Sequence, residues 1–258
     1  MILMRILILV VAYNAQKFIA ETLSRIPGTW LQSIDHQILI IDDASEDKTS
    51  EAIQSYLEYQ PHFNIKMITN PLNLGYGGTQ KKGYAYAAEN KYDIVVLLHG
   101  DGQYAPEYLP KMIAPIQNGN ADVVLGSRMI NKMDALRGQM PLYKWLGNQV
   151  LTRFQNFVLR SNLSEFHTGY RAFRIQTLTQ IPLSRNSDYF DFDTEVLIQL
   201  IDTKAKIREI SIPTFYGEEI SYVNGFKYAW LIIVATVMSR LVKLGWTKDS
   251  RFSYTTKK

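Results

Sequence analysis

Short apolar runs that alternate with longer amphipathic stretches constrain the fold of this chain more than any other feature of its sequence. The runs are rich in Ile, Val and Leu, and they occupy residues 6–11, 38–41, 65–68, 94–98 and 123–125. Each run is short enough for one strand, and all except 65–68, which contains Lys66, are apolar throughout, which indicates burial on both faces of a sheet. Between them, helices are predicted at residues 15–25, 49–58, 80–90 and 107–118. This alternation predicts an α/β fold with a mostly parallel, twisted sheet and helices on both faces.

The second half of the sequence is less regular. It predicts helices at residues 143–159, 194–202 and 225–246, a polar loop at 162–171 and a strand at 207–212. Residues 228–239 carry no charge and have basic residues on both sides. Because a membrane-spanning helix needs roughly 20 apolar residues, we expect an amphipathic helix in the lipid headgroup region, or else a buried helix. We therefore divide the chain into an α/β domain, residues 1–216, and a C-terminal helical appendage, residues 217–258.

Composition narrows the chemistry that is open to the chain. Its 258 residues include no cysteine, which excludes a disulfide scaffold, a thiolate nucleophile and a cysteine-ligated metal site. The formal net charge of +4 suits a phosphate-bearing ligand or an anionic membrane surface. No basic run interleaved with aromatic residues points to a nucleic acid partner. The apolar N-terminus leads into the turn signal Tyr13-Asn14, so we expect a first strand there and no signal peptide.

Polar motifs follow one predicted strand after another. In parallel sheets ligands bind beyond the carboxyl ends of the strands, so the joint placement of these motifs on one edge predicts a binding site. The motifs are Tyr13-Asn14, Asp42-Asp43, Asn73 to Gly78, His99 to Gln103, and Ser127-Arg128.

Each motif suits a particular part of a nucleotide ligand and also has a structural alternative. Asp42 and Asp43 can bind a base edge or a ribose hydroxyl, or can cap the next helix. The glycine-rich stretch can bring backbone N–H groups to a phosphate at a helix N-terminus. Asp101 offers a carboxylate for a hard divalent cation, or belongs to a plain Asp-Gly turn. Further along, the acids of Asp191-Phe192-Asp193-Thr194-Glu195 supply a general base or simply complement a helix dipole.

These residues resemble family 2 glycosyltransferases, whose fold is GT-A. The resemblance rests on Val10 to Asn14, Ile41 to Asp47, Asn73 to Gly78 and Leu98 to Gln103, in matching order and spacing, and covers residues 5–213. Thr168-Gly169-Tyr170-Arg171-Ala172-Phe173 is similar to a segment of the dolichol- or polyprenyl-phosphate sugar transferase branch. The resemblance implies transfer of a hexose, with inversion, from a nucleotide-diphosphate sugar to a polyprenyl phosphate or lipid-linked glycan.

The resemblance also implies roles for individual residues. Tyr13 and Asp43 would contact the base and ribose, and Lys81 would face the diphosphate. The whole nucleotide-sugar site would comprise Ala12, Tyr13, Asn14, Asp42, Asp43, Gly75, Lys81, His99, Gly100 and Asp101. The acceptor phosphate or the leaving diphosphate would be bound by Arg128, Thr168, Gly169 and Arg171. A divalent cation, Mg²⁺ or Mn²⁺, would be held by Asp101 with His99 and Gln103. The catalytic set would be Asp101, Arg171, and Asp193 or Glu195 as the base for a hydroxyl acceptor.

Three departures from the family pattern keep alternatives open. Ala15 stands where an acid usually follows Tyr-Asn, and His99 replaces the first acid of the metal-binding pair, which shifts preference toward Mn²⁺. Glu218 and Glu219 stand where lipid-phosphate transferases often carry basic residues. The alternatives are a soluble transferase acting on a sugar hydroxyl in cell-surface polysaccharide synthesis, and a catalytically silent nucleotide-sugar-binding subunit. In each case we expect a cytoplasmic protein, peripheral on the cytoplasmic face of the membrane if its acceptor is lipid-linked.

Overall fold

The sheet of this protein confirms the predicted α/β architecture. A computed structural model describes residues 4–59, 64–214 and 224–254, and within them the strands form a single seven-stranded sheet of order β3-β2-β1-β4-β6-β5-β7. All pairings are parallel except those of β6, which runs antiparallel to both β4 and β5. The strands are β1 (Arg5–Ala12), β2 (Asp35–Asp42), β3 (Ile65–Thr69), β4 (Ile94–His99), β5 (Val123–Ser127), β6 (Arg171–Arg174) and β7 (Ile207–Ser211).

Helices cover both faces of this sheet. The longer ones are α1 (Ile19–Ser24), α3 (Thr49–Tyr59), α4 (Gly75–Glu89), α5 (Leu109–Gln117), α6 (Lys132–Arg137), α7 (Leu142–Leu159), α9 (Phe192–Asp202) and α10 (Gly225–Lys243). Two single-turn α-helices, α2 (Gly28–Leu31) and α8 (Ile175–Leu178), and two short 3-10 helices, Pro106–Tyr108 and Leu183–Arg185, complete the set in the described residues. Alternate side chains of the central strands enter two cores. Ile6, Ile8 and Val10 enter one of them, whereas Leu7 and Leu9 enter the other.

The structure corrects several predicted boundaries. The expected loop at residues 162–171 gives way at Arg171 to strand β6, which the sequence did not indicate. Helix α4 begins at Gly75, not at residue 80, so the glycine-rich stretch forms its first turn. Helix α1 begins later than residue 15, at Ile19, and α10 ends at Lys243 instead of Trp246.

The C-terminal helix has the length of a membrane span, which its uncharged stretch at 228–239 does not reach. In the described part of the chain, α10 is one helix that could cross a bilayer by length and composition alone. The proposed domain boundary after residue 216 lies outside the described residues, as do Glu218 and Glu219. The division into two domains therefore stays a prediction.

Candidate active site

The carboxyl ends of β1, β2 and β4 bring three of the predicted motifs together. Ala12 is paired with Asp42 across β1 and β2, and Val11 is paired with His99 across β1 and β4. Strand β6 runs in the opposite direction, so it begins at this same edge, where Arg171 is paired with Leu97 and Leu125. The antiparallel strand therefore delivers residues 165–170 to the side of His99.

Side-chain hydrogen bonds hold together the loops that follow β1 and β2. Asn14, in the left-handed region at φ 50°, donates its backbone N–H to Ser45 Oγ at 2.9 Å and accepts the Glu46 N–H at 2.9 Å. Asp42 is buried, and its two carboxylate oxygens accept the hydroxyls of Ser45 and Ser50. Asp42 thus ties the loop to α3 through the Ser50 hydroxyl, whereas the first N–H of α3, that of Thr49, is accepted by Asp47 at 3.0 Å. Tyr13 and Asn14 are half-buried on the same edge.

Asp43 is placed at the N-terminus of α4. Its carboxylate accepts the backbone N–H groups of Leu74 at 2.8 Å and Gly75 at 3.0 Å, together with the Asn70 side-chain amide at 2.7 Å. A carboxylate at this position is stabilised by the helix dipole. The first N–H groups of α4 are therefore bound by protein acceptors, and the glycine-rich turn does not present them to a phosphate in this conformation.

The glycines of this turn permit a close approach of the segment before α9. Gly77 and Gly78 donate their N–H groups to the Asp188 carbonyl at 2.7 and 3.3 Å. A Cβ atom on Gly77 would lie 2.5 Å from the Ser187 carbonyl oxygen, so only glycine fits there. Lys81, one turn further on, pairs with the Asp188 carboxylate at 2.5 Å and donates to the Asn186 carbonyl at 2.9 Å.

At the centre of the edge lies a group of side chains that we call the central cluster: Tyr76, His99, Tyr104, Arg171 and Asp193. The Tyr76 hydroxyl donates to Asp193 Oδ2 at 2.7 Å and lies 3.3 Å from His99 Nε2. The rings of Tyr76 and Tyr104 both make edge contacts with the imidazole of His99, at centroid distances of 5.5 and 5.0 Å. The cluster thus connects helix α4, the end of β4 and the start of α9.

Burial sets the charge state of the cluster. It raises the pKa of Tyr76 well above its usual value, and nearby Asp193 adds to this shift. It also lowers the pKa of His99, although Asp101 and Asp193 oppose the shift, so His99 is neutral at pH 7. With its hydroxyl proton donated to Asp193, the Tyr76 oxygen is placed to accept Nε2–H from the His99 tautomer whose Nδ1 carries no proton.

Asp101 and Gln103 are half-buried beside the central cluster, on the turn after β4. Asp101 Oδ1 accepts the Gln103 N–H at 2.9 Å, while Oδ2 accepts no hydrogen bond from the described part of the chain. Gly100 lies close to β1 and α1 at this turn, since a Cβ atom there would lie 2.6 Å from the end of the Ile19 side chain and 3.3 Å from the Val11 carbonyl oxygen. Across residues 4–59, 64–214 and 224–254, no group of three or more His, Asp or Glu side chains is arranged to hold a metal ion.

Arg171 is completely buried and bonded to the protein. Its guanidinium donates to the carbonyls of Phe166 at 3.0 Å, Thr168 at 2.8 Å and Asp193 at 2.7 Å. It therefore joins the loop before β6 to the start of α9, and its predicted contact with a phosphate would require the loop to move. Gly169 packs so tightly that a Cβ atom would lie 2.5 Å from the His99 ring.

Two other residues predicted for the acceptor side are also engaged within the protein. The Thr168 hydroxyl donates to the Gly126 carbonyl at 2.5 Å. Arg128, nearly buried, pairs with the fully buried Glu165, which also accepts the Asn148 amide at 2.8 Å. Burial by itself would raise the pKa of Glu165, but the adjacent Arg128 holds it below its usual value, so the pair is charged.

The two candidate bases occupy different environments. Asp193 is in the central cluster, with Oδ2 bonded to Tyr76 and 3.8 Å from the Arg171 guanidinium. Glu195, two residues later, is fully buried away from the cluster, bonded to the Ser187 N–H at 2.7 Å and to Arg251. Only Asp193 of the pair is therefore placed beside His99.

The sequence did not identify Tyr76, Tyr104, Phe190 and Glu165 as parts of this edge. Phe190 stacks on Tyr76 at a centroid distance of 5.0 Å. Tyr76 lies within the glycine-rich motif, and Tyr104 directly follows the Asp101 motif. An aromatic residue at a polar motif was therefore the sequence signal that could have indicated these two. Nothing local marks Glu165, because its partner Arg128 is distant in sequence.

Comparisons with known proteins agree with this geometry. The family description "Glycosyl transferase family 2" matches residues 7–181. The chain is 28% identical over 220 residues to undecaprenyl-phosphate mannosyltransferase of Micrococcus luteus, covering 84% of this chain and 86% of the relative. It is 30% identical over 225 residues to UDP-N-acetylglucosamine–dolichyl-phosphate N-acetylglucosaminyltransferase of Methanococcus voltae, covering 83% of this chain and 86% of the relative.

Solved structures share the fold. Glucosyl-3-phosphoglycerate synthase of Mycobacterium tuberculosis, in complex with Mn²⁺, UDP and phosphoglyceric acid, superposes with a TM-score of 0.69 at 15% identity. The superposition covers 96% of this chain and 80% of the synthase, which bears out the expected GT-A fold. Together with the family match over most of its length, this shows that the chain belongs to glycosyl transferase family 2.

Proposed function

We propose that this protein transfers a hexose from a nucleotide-diphosphate sugar to a polyprenyl phosphate. The observation that carries the proposal is the meeting of the Asp101 turn, the neutral His99 and the loop at 165–170 at the carboxyl edge of a family 2 sheet. The relatives in Micrococcus luteus and Methanococcus voltae are named for undecaprenyl and dolichyl phosphate acceptors.

With a phosphate acceptor, the proposed transfer requires no general base. An acceptor phosphate oxygen would attack the anomeric carbon as the bond from that carbon to the diphosphate oxygen breaks, with charge developing on the leaving diphosphate. Because the acceptor is already anionic, no proton has to be removed, and Glu195 can remain paired with Arg251. We assign Asp193 to hold Tyr76 and Arg171 in place, and Lys81 to the diphosphate side.

The residues present fit a divalent cation that is held jointly with the substrate. Mg²⁺ is usually bound by one or two carboxylates plus substrate phosphates, so a complete protein cage is not required. Within the described residues Asp101 Oδ2 accepts no hydrogen bond. The pKa of His99 is lowered by burial, and the neutral imidazole is the form that a metal ligand requires. Asp101 would hold the cation with His99 and Gln103, and the cation would neutralise charge on the leaving diphosphate.

Helix α7 supports a membrane-bound acceptor because its polarity is inverted. Its buried face is polar and consists of Asn148, Gln149, Thr152 and Gln155, with Leu159 at the end. Its outward face exposes Leu142, Tyr143, Leu146, Val150 and Phe157. A helix in water normally presents the opposite arrangement, so this face is suited to an apolar environment.

Helix α10 packs against α7 and extends the apolar surface. It exposes Phe226, Trp230 and Val237, and the segment after it exposes Leu244 and Trp246. Neither helix contains an acidic residue, whereas together they carry Lys144, Arg153, Lys227, Arg240 and Lys243. Exposed apolar and aromatic side chains flanked by cations suit the headgroup region of an anionic bilayer. We therefore assign the outward faces of α7 and α10, named here the two-helix surface, to membrane contact.

Thermal denaturation with nucleotides tests the proposed donor site. UDP, GDP, CMP and dTDP would each be added with and without Mn²⁺ or Mg²⁺. A nucleotide at about a hundred times its dissociation constant should stabilise the protein by about 2.7 kcal/mol. We expect a metal-dependent shift for one nucleotide that is lost in Asp101→Ala and kept in Asp35→Ala, since Asp35 is at the opposite end of the sheet. If no nucleotide shifts the transition, and no sugar reaches undecaprenyl or dolichyl phosphate in a transfer assay, the proposal fails.

A further inference from the structure

Glu195 and Arg251 form an ion pair that the proposed reaction does not use directly. Glu195 is fully buried in the first turn of α9, and burial raises its pKa even though the Ser187 N–H and Arg251 favour the charged form. One carboxylate oxygen accepts the Ser187 N–H at 2.7 Å, and the other accepts Nη1 of Arg251. A charge in such a position requires a partner, and that partner comes from the last described residues of the chain.

Residues 249–254, which include Arg251, make hydrogen bonds at several points; we call them the C-terminal segment. Asp249 accepts Nη2 of Arg251 at 2.6 Å, which aims the guanidinium. Gln199 of α9 donates to the Arg251 carbonyl at 2.8 Å and accepts at its own carbonyl from the Tyr254 hydroxyl at 3.2 Å. Arg185 donates to the Ser250 carbonyl at 3.0 Å. The C-terminal segment thus holds both α9 and the residues just before it.

Ser187, the other partner of Glu195, leads directly to the active site. Its neighbour Asp188 accepts the Gly77 N–H at 2.7 Å and pairs with Lys81 at 2.5 Å. Phe190 stacks on Tyr76, whose hydroxyl is bonded to Asp193. Residues 186–193 are therefore bound to α4 and the central cluster on one side, and to Glu195 and the C-terminal segment on the other.

We propose that Arg251 and Glu195 are positioning residues, which hold residues 186–193 against α4 and so set the geometry of Tyr76, Lys81 and Asp193. This inference rests on the proposed function for the roles of those three residues. Loss of Arg251 leaves Glu195 without its counter-charge. The Glu195 carboxylate, which accepts the Ser187 N–H, is then no longer held in place by Arg251. Residues 186–193 would then be held less firmly against α4, although Arg251 is remote in sequence from Asp193.

Limited proteolysis measures the order of this segment without any substrate. Tyr189 is exposed at 65%, so chymotrypsin can reach the 189–190 region when the segment opens. We expect Arg251→Met to speed cleavage there by at least about tenfold, because removing one partner of a buried pair leaves an uncompensated charge. Arg251→Lys should restore most of the protection. In the transfer assay Arg251→Met should raise the donor KM more than it lowers kcat.

The control is Arg240→Met, which removes one of the two cations paired with the part-buried Asp202 of α9 but touches none of residues 186–193. It should lower thermal stability without changing cleavage near residue 189 or the donor KM. Wild-type cleavage in Arg251→Met, or equal acceleration in Arg240→Met, would overturn the proposal. Should Arg251→Met not fold, Glu195→Gln, which can keep the Ser187 bond but loses the charge that pairs with Arg251, should speed cleavage near residue 189 relative to wild type, and wild-type cleavage in this variant would overturn the proposal. Because the proteolysis needs no turnover, it separates failure of this inference from failure of the proposed sugar transfer.

Discussion

The imidazole of His167 links the loop before β6 to α10. Its Nδ1 lies 2.9 Å from the Tyr228 hydroxyl, and the two rings meet edge to face at 5.6 Å. Nε2 is buried without a partner in the described residues. Burial lowers the pKa of His167 to about 4, and the cations of Arg128 and Arg171 act in the same direction against a contribution from Glu165. The folded protein therefore holds this side chain neutral.

Stability should fall with acid because of this histidine. The unfolded chain binds a proton near pH 6.5, whereas the folded chain does so only near pH 4, so protonation favours unfolding between these values. The contribution of neutral His167 to the free energy of unfolding is present above pH 6.5 and is lost progressively down to pH 4. It amounts to at most about 3 kcal/mol. Urea unfolding at pH 7.0 and 5.0 should show a smaller loss for His167→Gln than for wild type. His36→Gln is the control, and an equal loss in His167→Gln and wild type would contradict this account.

At the residue scale, the sequence predicted the chemical types of the site better than their contacts. His99 ends β4 and Asp101 and Gln103 lie on the turn that follows it, as expected for residues so close in sequence. Asp193 and Glu195 looked equivalent in sequence, yet one is in the central cluster and the other is bonded to Arg251. That difference depends on a residue near the other end of the described chain, which no local pattern reveals.

At the scale of elements, close packing against Ser187 and Phe192 requires glycine at position 77, in the first turn of α4. A Cβ atom on Gly77 would lie 2.5 Å from the Ser187 carbonyl and 2.7 Å from Phe192 Cβ, and backbone cannot yield there. We expect Gly77→Ala to lower the unfolding free energy by about 1–3 kcal/mol, the usual cost of overpacking. It should also raise the donor KM, because residues 187–192 must shift.

Gly147 in α7 is the matched control, since a Cβ atom there meets nothing within 4 Å. Gly147→Ala should raise the unfolding free energy by about 0.5–1 kcal/mol, because alanine has the lower entropy cost within a helix. Chemical denaturation measures both variants. Equal effects of the two substitutions would mean that the close approach at Gly77 does not matter.

The elements that the sequence missed are those whose partners are remote. The strands β1, β2, β4 and β5 were predicted because each is an uninterrupted apolar run. Strand β6, with sequence Arg-Ala-Phe-Arg, is short and bounded by charges, and only its position between β4 and β5 makes it a strand. The inverted polarity of α7 was equally hidden, since the sequence gives the two faces but not which one is buried.

At the scale of the whole molecule, the two-helix surface sets how the protein would lie on a bilayer. We expect wild type to sediment with vesicles that contain phosphatidylglycerol and to bind phosphatidylcholine vesicles less, since neither helix contains an acidic residue and Lys144, Arg153 and Lys227 lie on them. The variant Leu146→Ser/Val150→Ser/Phe157→Ser should lose at least about tenfold in binding, because each buried apolar side chain contributes about 1.5–3 kcal/mol. Its thermal stability should change little, as these side chains are exposed.

The control replaces exposed apolar residues elsewhere: Tyr59→Ser/Leu72→Ser/Met133→Ser. It should bind vesicles as wild type does. Equal losses in the two triple variants, or no vesicle binding by wild type, would exclude the two-helix surface as a membrane contact. Concentration-dependent dimerisation of wild type, abolished only in the α7 variant, would assign the surface to a second copy of the chain instead.

The position of the antiparallel strand β6 late in the chain affects how the protein folds during its synthesis. Within the described residues, β1 to β4 pair with one another, whereas β5 pairs only with β6 and β7, which come later in the chain. Such non-local pairing slows folding. A nascent chain that has not yet reached Arg171 therefore presents Val123–Ser127 as an apolar strand without a neighbour, the kind of edge at which aggregation begins.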